Sequence, residues 1–213
     1  MKVTAIVPVY NEEKTIGNVL KVLTSSNRID KIVVVDDGGS DNTPKIIRKF
    51  KVKVITLKSN TGKGNAVKIA TKDIKSDIIL FLDADLYNLK KDHIDKMLKP
   101  VVDGDSVMVI GLMDKGNFIA NMIMPYFPLT GGQRAILTPV FMEIRKTPLI
   151  KGWGLESVMN DYCRKKNLKF STIKLDGVDH VGVQAKKHGL MAFLKQIYDV
   201  VLTRIKLLSI KYD

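Results

Sequence analysis

The stretch Ile78-Ile79-Leu80-Phe81-Leu82-Asp83-Ala84-Asp85 decides the fold. Five apolar residues run straight into two carboxylates. An apolar run of that length, bounded by turn-forming residues, reads as a strand buried on both faces, as in a parallel sheet. Asp83 and Asp85 stand two apart, so in an extended chain both side chains leave the same face. Carboxylates that close repel, and the repulsion is relieved by a bound cation or a shared proton. A divalent cation held by oxygens fits best, with a phosphate-bearing ligand completing its shell. The plainer reading is that aspartates after a strand simply make a turn. A calcium loop of the EF-hand type would need Asp or Asn at position 87, Gly at 88 and Glu at 94. The chain has Tyr87, Asn88 and Ile94 there, which excludes it.

Upstream, three more apolar β-branched runs end in polar clusters. Val3 to Val9 leads into Pro8-Val9-Tyr10-Asn11-Glu12, and Ile32 to Val35 into Asp36-Asp37-Gly38-Gly39-Ser40-Asp41-Asn42-Thr43. Val52 to Leu57 leads into Ser59-Asn60-Thr61-Gly62-Lys63-Gly64-Asn65. Between the runs lie helical patterns. Ile16, Val19, Leu20 and Leu23 recur at helical spacing; Pro44 suits a first helical turn capped by Thr43; a third helix is expected from the glycine loop to about Lys75. Strands alternating with helices predict βαβ units and a mainly parallel α/β sheet. Such sheets bind ligands at the carboxyl ends of their strands, where all four clusters fall.

The common nucleotide motifs do not fit. The loop after the first strand lacks Gly-x-Gly-x-x-Gly, and Gly62-Lys63 is followed by Gly64 rather than Ser or Thr. The set Pro8-Val9-Tyr10-Asn11-Glu12, Val35-Asp36-Asp37-Gly38-Gly39-Ser40-Asp41, Gly62-Lys63-Gly64 and Asp83-Ala84-Asp85 resembles, in order and spacing, the family-2 glycosyltransferases of the GT-A fold over roughly residues 1 to 115. Gly38-Gly39 departs mildly from the commoner Gly-Ser. The resemblance implies a nucleotide-sugar donor, UDP- or GDP-linked, and a Mg²⁺ or Mn²⁺ ion. It implies that Pro8, Tyr10 and Glu12 line the nucleoside pocket and that Asp37 accepts from the base. Asp83, with Ala84, would sit near ribose and metal, and Asp85 would hold the metal on the diphosphate. The residue chemistry is consistent: an aromatic face for a base at Tyr10, an acceptor at Asp37, and a cation at Lys63 for phosphate.

Past residue 115 the pattern is less regular. Asp105 to Gly111 is expected as a strand. The Met-rich stretch Phe118 to Met124 reads as core or as an acceptor groove. Gly131, Gly132 and Arg134 permit close backbone approach and a charge-assisted phosphate contact. Gly152-Trp153-Gly154-Leu155-Glu156 opens a helix to about Lys166, and Phe170 to Leu175 is a strand followed by a loop carrying His180. These segments look similar to glucosyl-3-phosphoglycerate synthases and the dolichyl-phosphate sugar synthases. That likeness implies an acceptor side at Gly131 and Gly132, an acidic residue at Glu156 and a third metal ligand at His180. Read from the residues alone, Glu156 is either a general base or a first-turn acid on the helix dipole. From Gly189 a basic amphipathic helix is expected, suited to an acidic membrane surface, to the sheet, or to a second subunit of a homodimer.

Composition bounds the rest. The 213 residues give one domain, divided into a donor half (1–115), an acceptor half (116–188) and a C-terminal helix (189–213). A hydrophobic content of 45% excludes disorder. The net charge of +13 points to an anionic partner. The single cysteine, Cys163, fits a reducing compartment, and no apolar run reaches the roughly 18 residues of a membrane span. With no leader expected before Val3, the location expected is cytoplasmic, peripheral to the membrane at most. Two other classes stand beside a glycosyltransferase. A nucleotidyltransferase would want a Gly- and Arg-rich loop after its first strand, which Pro8-Val9-Tyr10-Asn11-Glu12 is not. A nucleic-acid-binding protein would want a clustered basic stripe or stacking aromatics, whereas aromatics are 7% here.

Overall fold

The structure is a computed structural model that describes residues 1–113, 131–150, 154–180, 198, 201–210 and 212. Its elements run β1 (Val3–Val9), α1 (Ile16–Thr24), β2 (Lys31–Asp36), α2 (Thr43–Ile47), β3 (Lys53–Thr56), α3 (Lys63–Ala70), β4 (Ile78–Phe81) and β5 (Leu86–Tyr87). There follow α4 (Lys91–Val102), β6 (Met108–Met113), β7 (Gln133–Leu137), α5 (Thr138–Ile144), α6 (Leu155–Lys165), β8 (Phe170–Leu175) and β9 (Asp179–His180). Residues 201–207 are helical. The Met-rich stretch 118–124 and the start of the C-terminal helix at 189–197 lie outside the described residues.

The strands form one seven-stranded sheet in the order β3-β2-β1-β4-β7-β6-β8 and a small sheet of β5 and β9. β1 pairs in parallel with both β2 and β4, as the alternating pattern requires. Along β1, Val3, Ala5, Val7 and Val9 face one core with Ile78 and Leu80 of β4. Ile6, Ile79 and Phe81 face the other. Every residue of β4 is buried, so the apolar run is indeed covered on both faces. On the first face α1 brings Ile16, Val19, Leu20 and Leu23, none of them exposed. Burying each such side chain stabilises by about 1.5–3 kcal/mol. On the second face α5 and α6 pack Phe141, Ile144, Val158 and Met159, and the Phe81 and Phe141 rings sit 4.9 Å apart.

The strand the sequence reading missed is β7. The run Gln133-Arg134-Ala135-Ile136-Leu137, read as a ligand-approaching glycine–arginine segment, is a central strand antiparallel to both β4 and β6. That reversal positions the site. The carboxyl ends of β1 to β4 and β6 share one edge, and an antiparallel strand brings its start to that same edge. Gly132 therefore arrives beside Asp83, and Gly131 beside Gly111. Three smaller expectations also change. The third helix ends at Ala70 rather than near Lys75. Thr43 is a helical residue, not a cap; its hydroxyl accepts from the Glu12 N–H at 2.9 Å and ties the first two loops together. Strand β4 stops at Phe81, and Ala84 and Asp85 lie in a turn, so strand alternation does not set how the two aspartates face.

Candidate active site

Four elements meet at the carboxyl edge of the sheet. The turn after β4 supplies Asp83, the first residue of α3 supplies Lys63, the start of β7 supplies Gly132 and Gln133, and the first turn of α6 supplies Glu156. Lys63 Nζ donates to Asp83 Oδ1 at 2.6 Å and to Glu156 Oε1 at 2.7 Å. The Lys63, Asp83 and Glu156 side chains are 16%, 27% and 5% exposed. A lysine at a helix N-terminus opposes the helix dipole, so the local preference is overruled by the two acids. Burial works against the charge on Lys63, but Asp83 and Glu156 outweigh it and hold its pKa above the usual lysine range. Burial likewise opposes ionisation of Asp83; Lys63, the Gln133 hydrogen bond and nearby His180 overcome it and hold the carboxyl below its usual value.

Gly132 lies against the side chains of the site, which would have to shift to admit a larger residue. A Cβ there would overlap the Asp83 carboxylate and stand 2.5 Å from Lys63 Nζ. Gly131 is tight for a different reason, since its Cβ would lie 2.8 Å from the Gly111 carbonyl oxygen. Arg134 is placed otherwise than expected. It is 1% exposed, donates from Nε to the Gly131 carbonyl at 2.9 Å and from Nη1 to Asn160 Oδ1 at 2.7 Å. Burial brings its pKa down to about 10, against the pull of Glu156. Its guanidinium braces the start of β7 against α6 and balances buried acid rather than facing an acceptor phosphate.

The other expected residues lie along the same edge. Pro8 pairs with Val35 near the end of β1, and Tyr10 is 45% exposed just beyond it, its ring open to a stacking partner. The next residue, Asn11, accepts from the Ser40 N–H at 2.7 Å, so the loops after β1 and β2 close on each other. Glu12 heads the turn into α1, its carbonyl accepting from Ile16 N. Asp37 is buried, and its carboxylate accepts from Thr61 N, Thr61 Oγ1 and Gly62 N, each at 2.8 Å. The Gly38-Gly39 turn is capped by Asp36 instead, at 3.3 Å. Gly38 has φ +73 and a Cβ there would meet the Ser59 backbone at 2.7 Å, which explains a glycine at that spot.

His180 reaches the site through β9. Leu86, directly after Asp85, pairs with His180, and Tyr87 with Asp179. Nδ1 of His180 is buried and finds no hydrogen-bond partner among the described residues; Asp179 Oδ1 stands 3.6 Å away. Among the described residues no three His, Cys, Asp or Glu side chains are gathered into a metal cage. What is gathered is an acid pair bridged by one ammonium, with His180 near enough for its charge to act on Asp83. Sequence reasoning missed Gln133 and the β5–β9 pairing. The first carried a signal, a polar residue opening a four-residue apolar-rich run; two-residue strands carry none.

The family model described as glycosyl transferase family 2 matches residues 4–145. The UDP-N-acetylglucosamine–dolichyl-phosphate N-acetylglucosaminyltransferase of Methanococcus voltae is 34% identical over 126 residues, covering 50% of this chain and 49% of that protein. Glycosyltransferase AglJ of Haloferax volcanii is 27% identical over 190 residues, covering 80% and 61%. The glucosyl-3-phosphoglycerate synthase of Mycobacterium tuberculosis, solved with Mn²⁺, UDP and phosphoglyceric acid, superposes with a TM-score of 0.80 at 19% identity, over 99% of this chain and 79% of that one. The last likeness shows the fold. The chain spans about half the length of the curated relatives it matches first.

Proposed function

The chain belongs to glycosyl transferase family 2, and from that premise we propose that it moves a sugar from a UDP- or GDP-sugar to an acceptor at the carboxyl edge of its sheet. The observation that carries this is the buried cluster of Lys63, Asp83 and Glu156. Structural ion pairs seldom place a lysine at a helix start, and perturbed groups cluster at functional sites. Tyr10 would stack the base, with Pro8 and Glu12 lining that pocket. Asp37, anchored by the Thr61–Gly62 loop, keeps an acceptor position on Oδ2 for a base N–H.

Two carboxylates and an imidazole nitrogen that has no hydrogen-bond partner among the described residues are donors that suit Mg²⁺ or Mn²⁺. Asp83, Asp85 and His180 would hold the ion, which when bound neutralises charge growing on the departing diphosphate. Lys63 adds a second positive charge at the same edge, and Ala84 keeps the turn between the aspartates small. An acceptor phosphate arrives ionised and needs no base. An acceptor hydroxyl would give its proton to Glu156. The names of relatives acting on dolichyl phosphate support a lipid phosphate acceptor. The division into donor half, acceptor half and C-terminal helix follows the same reading. No helix among the described residues is long and apolar enough to cross a membrane. Exposed Val201, Ile205 and Leu208 beside Arg204 and Lys206 support contact with an anionic membrane surface.

The test is a melting-temperature screen of UDP, GDP, CDP and ADP and their sugars, with and without Mn²⁺, followed by transfer to polyprenyl phosphate and to 3-phosphoglycerate. A shift for one nucleotide that requires metal names the donor, because a ligand for the folded state stabilises by mass action. Well-folded protein that responds to none of them overturns the reading.

A further inference from the structure

We propose that Gln133 is the positioning residue of the donor site, fixing the Asp83 carboxylate for the metal-bearing nucleotide; this rests on the function proposed above. Gln133 is fully buried. Its Oε1 accepts from the Asp83 backbone N–H at 3.0 Å, and its Nε2 donates to Asp83 Oδ2 at 2.8 Å. The reason lies in the sheet. The β4–β7 ladder ends at the pair Phe81 and Arg134. The Leu82 N–H still bonds Ile6 of β1 at 3.2 Å. The next N–H, that of Asp83, points the other way, toward β7, past the last ladder pair. The Gln133 amide takes the place of the missing main-chain acceptor and returns its amino group to the carboxylate of the same residue.

Two bonds from one planar amide fix both the backbone and the side chain of Asp83. With Lys63 on Oδ1 and Gln133 on Oδ2, the carboxylate plane is set from both sides, and each oxygen keeps a further lone pair. Lys63 reaches Asp83 from α3, and its ammonium is shared with Glu156. Gln133 is seated in β7, where a Cβ on Gly111 would already stand 3.1 Å from its own. The orientation of Asp83 therefore survives any movement of Lys63. Groups that orient a ligating carboxylate act on affinity without touching the ligand.

The experiment titrates Mn²⁺ against UDP and GDP binding in the wild type, Gln133→Ala and Gln133→Met, with Thr71→Val as a destabilised control away from the site. Uridine and guanosine, which carry no diphosphate, report the nucleoside pocket. Both Gln133 variants are expected to need about 10–100-fold more Mn²⁺ for half-maximal nucleotide binding, the range seen when an orienting partner is lost. Nucleoside binding and the Thr71→Val titration should not move. Gln133→Met keeps the length of the side chain and loses both donor and acceptor, so it decides the matter if Gln133→Ala does not fold. Metal-dependent binding in the wild type with an unchanged midpoint in Gln133→Met overturns the role of Gln133 alone. No metal-dependent binding in the wild type removes the donor site and this role with it.

Discussion

Strands β2 and β4 flank β1 on its two sides, and each is followed by an aspartate at the same edge, Asp37 and Asp83. Their surroundings differ in kind. Asp37, after β2, is held by the Thr61 and Gly62 main chain and the Thr61 hydroxyl. Asp83, after β4, is held at its carboxylate by side chains alone, those of Lys63 and Gln133, with Glu156 on the far side of the ammonium. Main-chain donors fix a loop for good, because leaving them unpaired when buried is costly. A side-chain ammonium can change partners. The same residue type is thus held by main chain in one case and by side chains in the other.

That contrast can be broken by substitution. The largest effect is expected from Asp83→Asn, which should weaken Mn²⁺-dependent nucleotide binding beyond the ~100-fold reached by orienting residues. Calorimetry with and without EDTA reads it; equal affinity would place the site elsewhere. Next comes Lys63→Met, which leaves two mostly buried carboxylates facing each other. Breaking one partner of such a pair costs about 3 kcal/mol, measured by urea unfolding, and Mn²⁺ should return part of that loss. A loss that Mn²⁺ does not touch would make Lys63 a purely structural cation. Asp37→Ala should cost about 1–3 kcal/mol by orphaning the loop N–H groups. Any nucleotide affinity it loses should be the same with and without metal. A metal-dependent loss there would erase the distinction between the two aspartates.

The smallest effect lies away from both. His93 Nδ1 accepts from the Lys90 N–H at 3.2 Å at the start of α4. Burial, then the charges of Lys96 and Lys90, hold its pKa below the usual 6.5. The unfolded chain thus takes up the proton first, and stability is lost as pH falls below about 6.5. His93→Gln should flatten the change in unfolding free energy between pH 7.5 and 5.5 while leaving nucleotide binding unaltered. An unchanged slope would mean another group carries the acid sensitivity.

The two aspartates also mark how far the sequence could be read. The strands β1, β2 and β4 and the helix α1 announced themselves, because apolar runs and helical spacing are local signals. Val3–Val9 and Phe170–Leu175 coincide with the expected strands. Tyr10, Asp37, Lys63, Asp83, Glu156 and His180 were all legible as candidates from motif order, and the structure sets them along one edge. Their partners were not. Lys63 was read as a phosphate contact; its bond to Glu156 spans 93 residues and no spacing rule reaches that far. Arg134 looked like a ligand residue because a glycine pair precedes it, yet the antiparallel course of β7 turns it into the core. Reversal of one strand is a long-range property that a run of five residues does not encode.

The most direct measurement is paramagnetic broadening of side-chain NMR signals by Mn²⁺ in the presence of whichever of UDP or GDP raises the melting temperature. If the Asp83 cluster is a metal-dependent nucleotide site, the His180 ring and the Gln133 side-chain amide should broaden first, and only with nucleotide present. Broadening that begins elsewhere, or that leaves these two signals sharp at saturating nucleotide, would contradict a donor site at the end of β4.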